Sequence, residues 1–300
     1  MTVDTLGAFL QASRARVTPE SAGLTLYGDR RRVAGLRREE LAMLAGVSSS
    51  YYTRLEQGQS RNASPQVLDA LAAALRLDDA ERLHLRRLAE QGGRRTRPRR
   101  PAVEVADPAL LELLTALGGV PALVLGRRSD VLAWNPLGHA LLAGHLDADA
   151  PTAPSSRPTM ATMVFLDDHT RELYADWRAK SRAVVGNLRL VAGQHPDDPV
   201  LAALVGSLSM QSPDFASLWA DHRVQACATA VYTLHHPLVG DVTVTQQTLR
   251  SVDHPDQTFV THTAPAGSPS AEAITLLGQI VGDRRGGAST LITSRAGQPG

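Results

Sequence analysis

A short stretch near residue 50 carries side chains that could contact the edges of DNA bases. Its outer positions are small hydroxyl residues and one arginine, whereas a surface helix without a partner usually carries Glu and Lys. Hydroxyl groups can contact base edges, and a guanidinium can pair with guanine through two hydrogen bonds. The alternative is an ordinary helical hairpin within a core. The residues predicted to face DNA here are Ser48, Ser49, Ser50, Tyr51, Thr53 and Arg54.

Two short helices joined by a tight turn would position this face. Leu41, Leu44 and Ala45 have the i, i+3, i+4 spacing of a first helix with one apolar side. Gly46 follows, and glycine allows the positive φ that a sharp turn requires. The hydroxyl of Ser48 can then cap a second helix. The spacing therefore predicts a helix-turn-helix.

The surrounding sequence resembles the XRE family of helix-turn-helix repressors. The resemblance covers about Leu6 to Ala89, and it implies an all-α head of five helices. It also implies a structural ion pair between Arg14 and Glu56. Four runs carry it: Arg38-Glu39-Glu40-Leu41-Ala42, Ala45-Gly46-Val47-Ser48, Leu55-Glu56-Gln57-Gly58 and Leu71-Ala72-Ala73-Ala74-Leu75.

The same resemblance implies roles for individual side chains on DNA. Base reading is expected from Ser49, Ser50 and Arg54. Arg38 stands where the family has a phosphate-binding glutamine, so we expect the phosphate contact to come from an arginine instead. Further phosphate contacts are expected from Arg61 and Asn62.

Charge is distributed unevenly along the 300 residues. Residues 1–105 contain 18 arginines against 12 acidic residues, whereas residues 106–300 contain 13 basic against 18 acidic residues. The basic front third is typical of a DNA-binding head on an acidic body. No apolar run approaches the length of a membrane span, no secretion signal opens the chain, and Cys227 is its one cysteine. We therefore expect a cytoplasmic protein.

Composition predicts a linker between two domains. Residues 91–101 contain five arginines and two prolines and nothing apolar to bury. An insert at residues 18–34, with arginines at 30–32, is predicted as an exposed loop that either contacts phosphates or is merely solvated. The predicted limits are 1–92 for the head, 93–106 for the linker, 107–282 for a second domain and 283–300 for a flexible tail.

Strand and helix patterns alternate in the second domain, which predicts an α+β fold. Capping residues followed by proline mark helix starts, and β-branched residues with a period of two mark strands. The main predicted elements are strands at 121–126 and 130–134, one long helix from Thr170 to Val191, antiparallel strands at 231–236, 240–249 and 257–263, and a last helix that ends near Val281.

Several runs of the second domain carry a family resemblance. They include Asp130-Val131-Leu132-Ala133-Trp134-Asn135-Pro136, Tyr174-Ala175-Asp176-Trp177, Pro196-Asp197-Asp198-Pro199 and His236-Pro237-Leu238-Val239-Gly240. With these runs the domain resembles the ligand-binding domain of MmyB-like transcription regulators. The resemblance covers about residues 107–280, and it implies a PAS-like antiparallel sheet with helices packed on it and a small apolar ligand, with fatty acids the leading candidates. Residues 224–231 depart from the basic character of relatives.

Aromatic residues of this domain are predicted to form an apolar wall for the ligand. The alternative for each of them is ordinary core packing. A carboxylate end would need a paired charge or donors, and His222 and Arg223 are the predicted partners. The wall residues are Trp134, Phe165, Tyr174, Trp177, Trp219 and Tyr232.

Motifs for other chemistry are missing from the sequence. It has no His-Glu-x-x-His, no Gly-x-Ser-x-Gly and no phosphate-binding Gly-x-x-x-x-Gly-Lys. We therefore predict no metal, no cofactor and no enzymatic activity. The predicted function is a homodimeric, DNA-binding repressor whose second domain senses a small apolar molecule. The alternatives are an enzyme tethered to a DNA-binding head and a repressor whose second domain only dimerises.

Overall fold

The computed structural model describes residues 5–24, 35–59, 63–91, 103–221 and 229–295. The arginines at 30–32, the loop residues Arg61 and Asn62, and Cys227 lie outside these ranges. No helix within the described part of the chain is both long and apolar enough to cross a membrane.

Contacts between residues group the chain into two compact units. The first comprises residues 1–101 and 185–226, and the second comprises residues 102–184 and 227–300. The predicted limits, by contrast, assign 185–226 to the second domain. One helix, α10 (Trp177–Gln194), therefore begins in the second unit and ends in the first.

The first unit contains the five predicted head helices. They pack around one apolar cluster that includes Phe9, Leu41, Tyr52, Leu55 and Leu71. Two further helices of the unit, α11 and α12, follow α10 in the chain. The bounds are α1 Leu6–Arg16, α2 Arg38–Leu44, α3 Ser49–Glu56, α4 Pro65–Ala74, α5 Asp79–Gln91, α11 Pro199–Gln211 and α12 Pro213–Ala220.

The turn between α2 and α3 has the geometry that the sequence predicts. Gly46 has a φ of 65°, and the amide of Val47 donates to the carbonyl oxygen of Ala42 at 2.9 Å. This bond satisfies a carbonyl that the helix end leaves open. The hydroxyl of Ser48 accepts from the amide of Tyr51 at 3.2 Å, so the predicted cap is confirmed.

One buried carboxylate holds α1, α2 and α3 together. The side chain of Glu56, at the end of α3, is 2% exposed. It accepts from Nε of Arg14 in α1 at 2.8 Å and from Nε of Arg38 in α2 at 2.6 Å. Arg14 also donates to the carbonyl oxygen of Leu36 at 2.7 Å. The predicted ion pair between Arg14 and Glu56 is thus confirmed, and Arg38 is a second partner of the same carboxylate.

Residues around Glu56 keep its carboxyl group charged, and a glycine in α1 lets that helix lie close to α3. Burial alone would raise its pKa, but the hydrogen bonds from Arg14 and Arg38 hold the pKa below the usual range. A Cβ atom at Gly7 in α1 would lie 2.0 Å from the main-chain oxygen of Glu56. Only glycine allows this approach of the two backbones.

Proline after a capping residue starts six helices in the described residues. The side chain of the capping residue accepts from a backbone amide two or three positions later. These pairs confirm the predicted helix starts. They are Ser64-Pro65, Asp107-Pro108, Asn135-Pro136, Asp198-Pro199, Ser212-Pro213 and Ser268-Pro269.

The second unit is built on an antiparallel sheet with helical cover, as predicted. Its described strands lie in the order β2-β1-β5-β4-β3. The strands are β1 Ala122–Leu125, β2 Val131–Trp134, β3 Thr229–His236, β4 Gly240–Arg250 and β5 Thr258–Thr263. The helices are α6 Pro108–Ala116, α7 Pro136–Ala143, α8 Met160–Leu166, α9 Asp168–Leu173 and α13 Pro269–Arg295, with the start of α10.

The single helix predicted from Thr170 to Val191 is wrong, because the chain breaks it into α9 and α10. Tyr174 forms an isolated β-bridge with Leu234 of β3. The amide of Ala175 donates to the carbonyl oxygen of Thr233 at 3.0 Å. The backbone between the helices is therefore extended along the edge of the sheet, and hydrogen bonds to β3 replace those of a helix.

The last helix continues beyond its predicted end near Val281. It runs to Arg295. The glycines at 282, 286 and 287 favoured an earlier end. Glycine costs a helix interior only about 1 kcal/mol relative to alanine, and it does not remove a hydrogen bond as proline does. The helix α8, which no pattern predicted, is the other addition to the helical cover.

We expect Glu56→Gln to lower the free energy of unfolding by about 2–3 kcal/mol near neutral pH, because two hydrogen bonds to a buried carboxylate lose the charge of their acceptor. The pKa of Glu56 is depressed in the folded state. Its stabilising effect is therefore complete above the usual glutamate pKa of 4.5 and is lost as the pH falls through the lower folded value. Urea unfolding of both proteins from neutral to strongly acid pH measures this.

The control is Glu39→Gln, which removes an exposed carboxylate of α2. It should change stability by less than about 0.5 kcal/mol. A loss for Glu56→Gln that is the same at every pH would contradict the role given to the charge.

Candidate DNA interface and ligand cavity

Helix α3 buries one side and exposes the other. Tyr52 and Leu55 are fully buried in the head. Ser49, Ser50 and Arg54, the three residues expected to read bases, lie together on the exposed side. The structure thus brings them onto one surface that has the width of a single short helix.

The hydroxyl groups of two other predicted contact residues, Thr53 and Ser48, already make hydrogen bonds within the protein. The hydroxyl of Thr53 donates to the carbonyl oxygen of Ser49 at 2.8 Å, so it can only accept from a partner. Ser48 acts as the cap and lies 3.2 Å from the hydroxyl of Ser50. Tyr51 and Thr53 are half-buried at the border of the exposed side. These residues frame the surface rather than form its centre.

Arg38 is placed beside this surface. Its side chain is 45% exposed although Nε is bound to Glu56. The fork geometry of a guanidinium leaves further N–H groups that can reach a phosphate. The other predicted phosphate contacts, Arg61 and Asn62, lie outside the described residues.

Most of the predicted aromatic wall packs in pairs in the second unit. Phe165 and Trp177 meet edge to face with ring centroids 5.9 Å apart, and Tyr174 and Tyr232 do so at 5.5 Å. The indole N–H of Trp177 donates to the carbonyl oxygen of Val164 at 2.7 Å. Such pairs are a normal way to fill a core.

Another member of the predicted ligand site, Trp219, does not join these pairs. Trp219 belongs to the first unit, where it stacks on Phe215 with centroids 5.6 Å apart. The guanidinium of Arg189 lies 4.2 Å from the centroid of Trp219. His222 and Arg223 fall outside the described residues.

The chain's one lysine lies inside the second unit. Lys180 is 5% exposed, and its Nζ is 2.9 Å from the amide oxygen of Gln246 on β4. The ammonium also lies 5.0 and 4.7 Å from the ring centroids of Tyr174 and Tyr232. Nothing in the neighbouring sequence indicates that this lysine is buried.

An open cavity of about 510 Å³ lies beside α7 in the second unit. Trp134 is the predicted ligand residue that lines it. Leu277, Ile280 and Val281 of α13 form an apolar side. The polar part of the lining comes from Asp149, which is exposed, and from four histidines on three separate segments: His139, His145, His169 and His236. No spacing in the sequence links these histidines, so only the fold could bring them together.

The end of α10 packs into the core of the head. Leu190 is 4% exposed and belongs to the same apolar cluster as Phe9 and Tyr52. Beyond it, a Cβ atom at Gly193 would lie 2.3 Å from Cε1 of His84 in α5. His84 is fully buried and meets the ring of Phe9 edge to face at 5.1 Å. A glycine inside a helical segment is the one sequence signal of such close packing.

Comparisons with known protein families match two parts of the chain. Residues 5–85 match a family of helix-turn-helix domains. Residues 106–277, more than half of the chain, match the ligand-binding domain of MmyB-like transcription regulators. Among curated proteins, none matches the chain significantly. With a helix-turn-helix head and this second domain, the chain belongs to the MmyB-like transcription regulators.

Proposed function

We propose that this transcription regulator is a cytoplasmic repressor and that α3 enters the major groove. In that arrangement Arg54 reads a base, while Ser49 and Ser50 contact neighbouring base edges. Arg38, Arg61 and Asn62 hold phosphates and so fix the position of the helix. The observation that carries the proposal is the exposed serine and arginine surface on a helix whose other side is fixed by Glu56.

Replacing Arg54 and Arg38 should have different consequences for DNA binding. On an operator selected from random DNA, Arg54→Ala should cost about 1–3 kcal/mol and relax the preference at one base pair. Arg38→Gln should weaken all DNA alike and reduce the slope of affinity against salt by about one. Fluorescence anisotropy over a range of salt concentrations measures both effects.

The control is Arg250→Ala, which removes the same charge from an exposed position on β4. It should leave operator affinity and specificity unchanged. If Arg54→Ala binds the operator as tightly as the wild type, Arg54 does not read a base.

The regulator should bind DNA as a homodimer on a pseudo-palindromic site, since one short helix contacts too few base pairs to recognise a specific site. Half-sites would lie about 34–36 Å apart, or a multiple of that distance. Light scattering of the protein, free and on DNA, measures its mass. A monomer in both states would rule the dimer out.

The second domain of the proposed repressor responds to a small apolar ligand, for which fatty acids are the leading class. A ligand changes DNA affinity only if it favours one state of the protein over another. Helix α10 is suited to carry that difference, because it starts at Trp177 in the second unit and ends against His84 in the head. Closely packed surfaces shift between discrete arrangements rather than deform smoothly.

Gly193→Ala should weaken this coupling, because the added methyl group must displace the buried ring of His84. We expect a loss of stability of about 1–3 kcal/mol. The ratio of operator affinities with and without decanoic acid should also fall toward one. Thermal unfolding and anisotropy titrations measure these two effects.

Gly282→Ala in α13 serves as the control, since nothing lies within 4 Å of its added Cβ. It should preserve the ligand response, and it should keep the stability or raise it by up to about 1 kcal/mol, because alanine is the better residue in a helix interior. A folded Gly193→Ala protein with an undiminished ligand response would exclude α10 as the route.

A further inference from the structure

Helix α11 of the first unit exposes an apolar surface. Leu201 and Leu208 are buried on one side of the helix. On another side, exposed residues recur at a spacing of three or four, and Val200 and Met210 are 47% and 89% exposed. Residues with this spacing share one side of a helix. We call this side the α11 face, and it consists of Val200, Ala203, Leu204, Ser207, Met210 and Gln211.

The composition of α11 is unusual for a helix at a protein surface. Its sequence from Pro199 to Gln211 contains no charged residue. A surface helix normally carries charged and polar residues on the side that faces water, whereas a helix that is apolar on all sides is normally buried. The sequence of α11 is therefore that of a helix covered on both sides, although the α11 face is open to solvent.

Polar side chains on and beside the α11 face make hydrogen bonds within the helix itself. Nε2 of Gln211 donates to the hydroxyl oxygen of Ser207 at 2.6 Å. The hydroxyl of Ser209 donates to the carbonyl oxygen of Val205 at 2.8 Å. A polar group that keeps a partner inside the protein loses little when water is removed from it. Another apolar surface can therefore cover the α11 face at a low cost in hydrogen bonds.

We propose that two copies of this chain associate through their α11 faces. This inference rests on the proposed homodimer and names the surface that forms it. Helices α11 and α3 belong to the same compact unit. A contact between two α11 helices therefore fixes the position of one α3 helix relative to the other, and with it the spacing of the half-sites.

A second copy fits the α11 face better than other partners do. Helices that bind DNA or an anionic membrane surface carry Lys and Arg, and α11 carries neither. A charged protein surface would lose its water there without gaining a partner of opposite charge. A two-fold axis, in contrast, places the same uncharged face opposite itself. If the two helices are antiparallel, each positive N-terminal end also lies near a negative C-terminal end.

The size of the α11 face indicates a weak dimer in the absence of DNA. Helix α11 has 13 residues, so it is about 20 Å long and about 10 Å wide. A pair of such helices buries well under the roughly 800 Å² per partner of a standard interface. Operator DNA should strengthen the association, because two associated heads bind two half-sites at a high effective concentration.

Met210→Lys in the full chain tests the inference. Sedimentation velocity measures self-association, and fluorescence anisotropy measures binding to the selected operator and to a single half-site. We expect self-association to weaken at least about tenfold, because the substitution places a charge against an apolar surface. Affinity for the operator should fall with it. Affinity for the half-site should not fall, since an added positive charge favours DNA.

Two further variants serve as controls. Val252→Lys adds the same charge in the second unit, at a residue that is 93% exposed. Met210→Leu keeps the α11 face apolar. Both proteins should associate and bind the operator as the wild type does.

The outcomes separate this inference from the proposed function. If Met210→Lys associates and binds the operator as the wild type does, the homodimer stands on another surface and the α11 face is open to a different protein. An equal loss in Val252→Lys would also overturn the inference, because the added charge and not the α11 face would be the cause. A wild type that is monomeric both free and on the operator would exclude the proposed homodimer together with this surface.

Discussion

The head depends on the carboxylate of Glu56. Helices α2 and α3 are seven and eight residues long, and isolated helices of that length are unstable in water. They persist because tertiary packing orders them. The ion pairs of Glu56 join α1, α2 and α3 at one point. Its two arginine partners approach from different helices, so the orientation of α3 is fixed relative to both. An arrangement that separates Glu56 from Arg14 would leave this buried charge with only the partly exposed Arg38 as its partner, so few other arrangements are stable. The exposed serine and arginine surface is rigid for that reason.

Two glycines extend this constraint to the rest of the first unit. Gly7 lets α1 lie against the last turn of α3, and Gly193 lets α10 lie against His84. Phe9 of α1 contacts His84 in turn. Helix α1 therefore stands between the helix proposed to read DNA and the helix that leads from the second unit. Interiors packed at this density transmit a displacement instead of absorbing it. The same closeness makes each of these glycines sensitive to a single methyl group.

Local features of the fold were predictable because local chemistry determines them. Capping residues before proline marked helix starts, Gly46 marked the turn, and period-two runs marked the strands. The break at Tyr174 was not predictable, because it depends on hydrogen bonds to β3, which is distant in sequence. The histidine cavity was missed for a similar reason: α7 and the residues just after it, α9 and the end of β3 contribute its rings, and none of these segments carries a pattern by itself. The serine and arginine surface, in contrast, lies on one helix, so its spacing was enough to find it.

Acid destabilises the second unit through one buried histidine. His262 on β5 is buried opposite Gln246, and burial, followed by the charge of Lys180, lowers its pKa to about 3. The unfolded chain binds that proton near the usual histidine pKa of 6.5. The contribution of a neutral His262 to stability is therefore complete above that pH and declines as the pH falls toward the folded value.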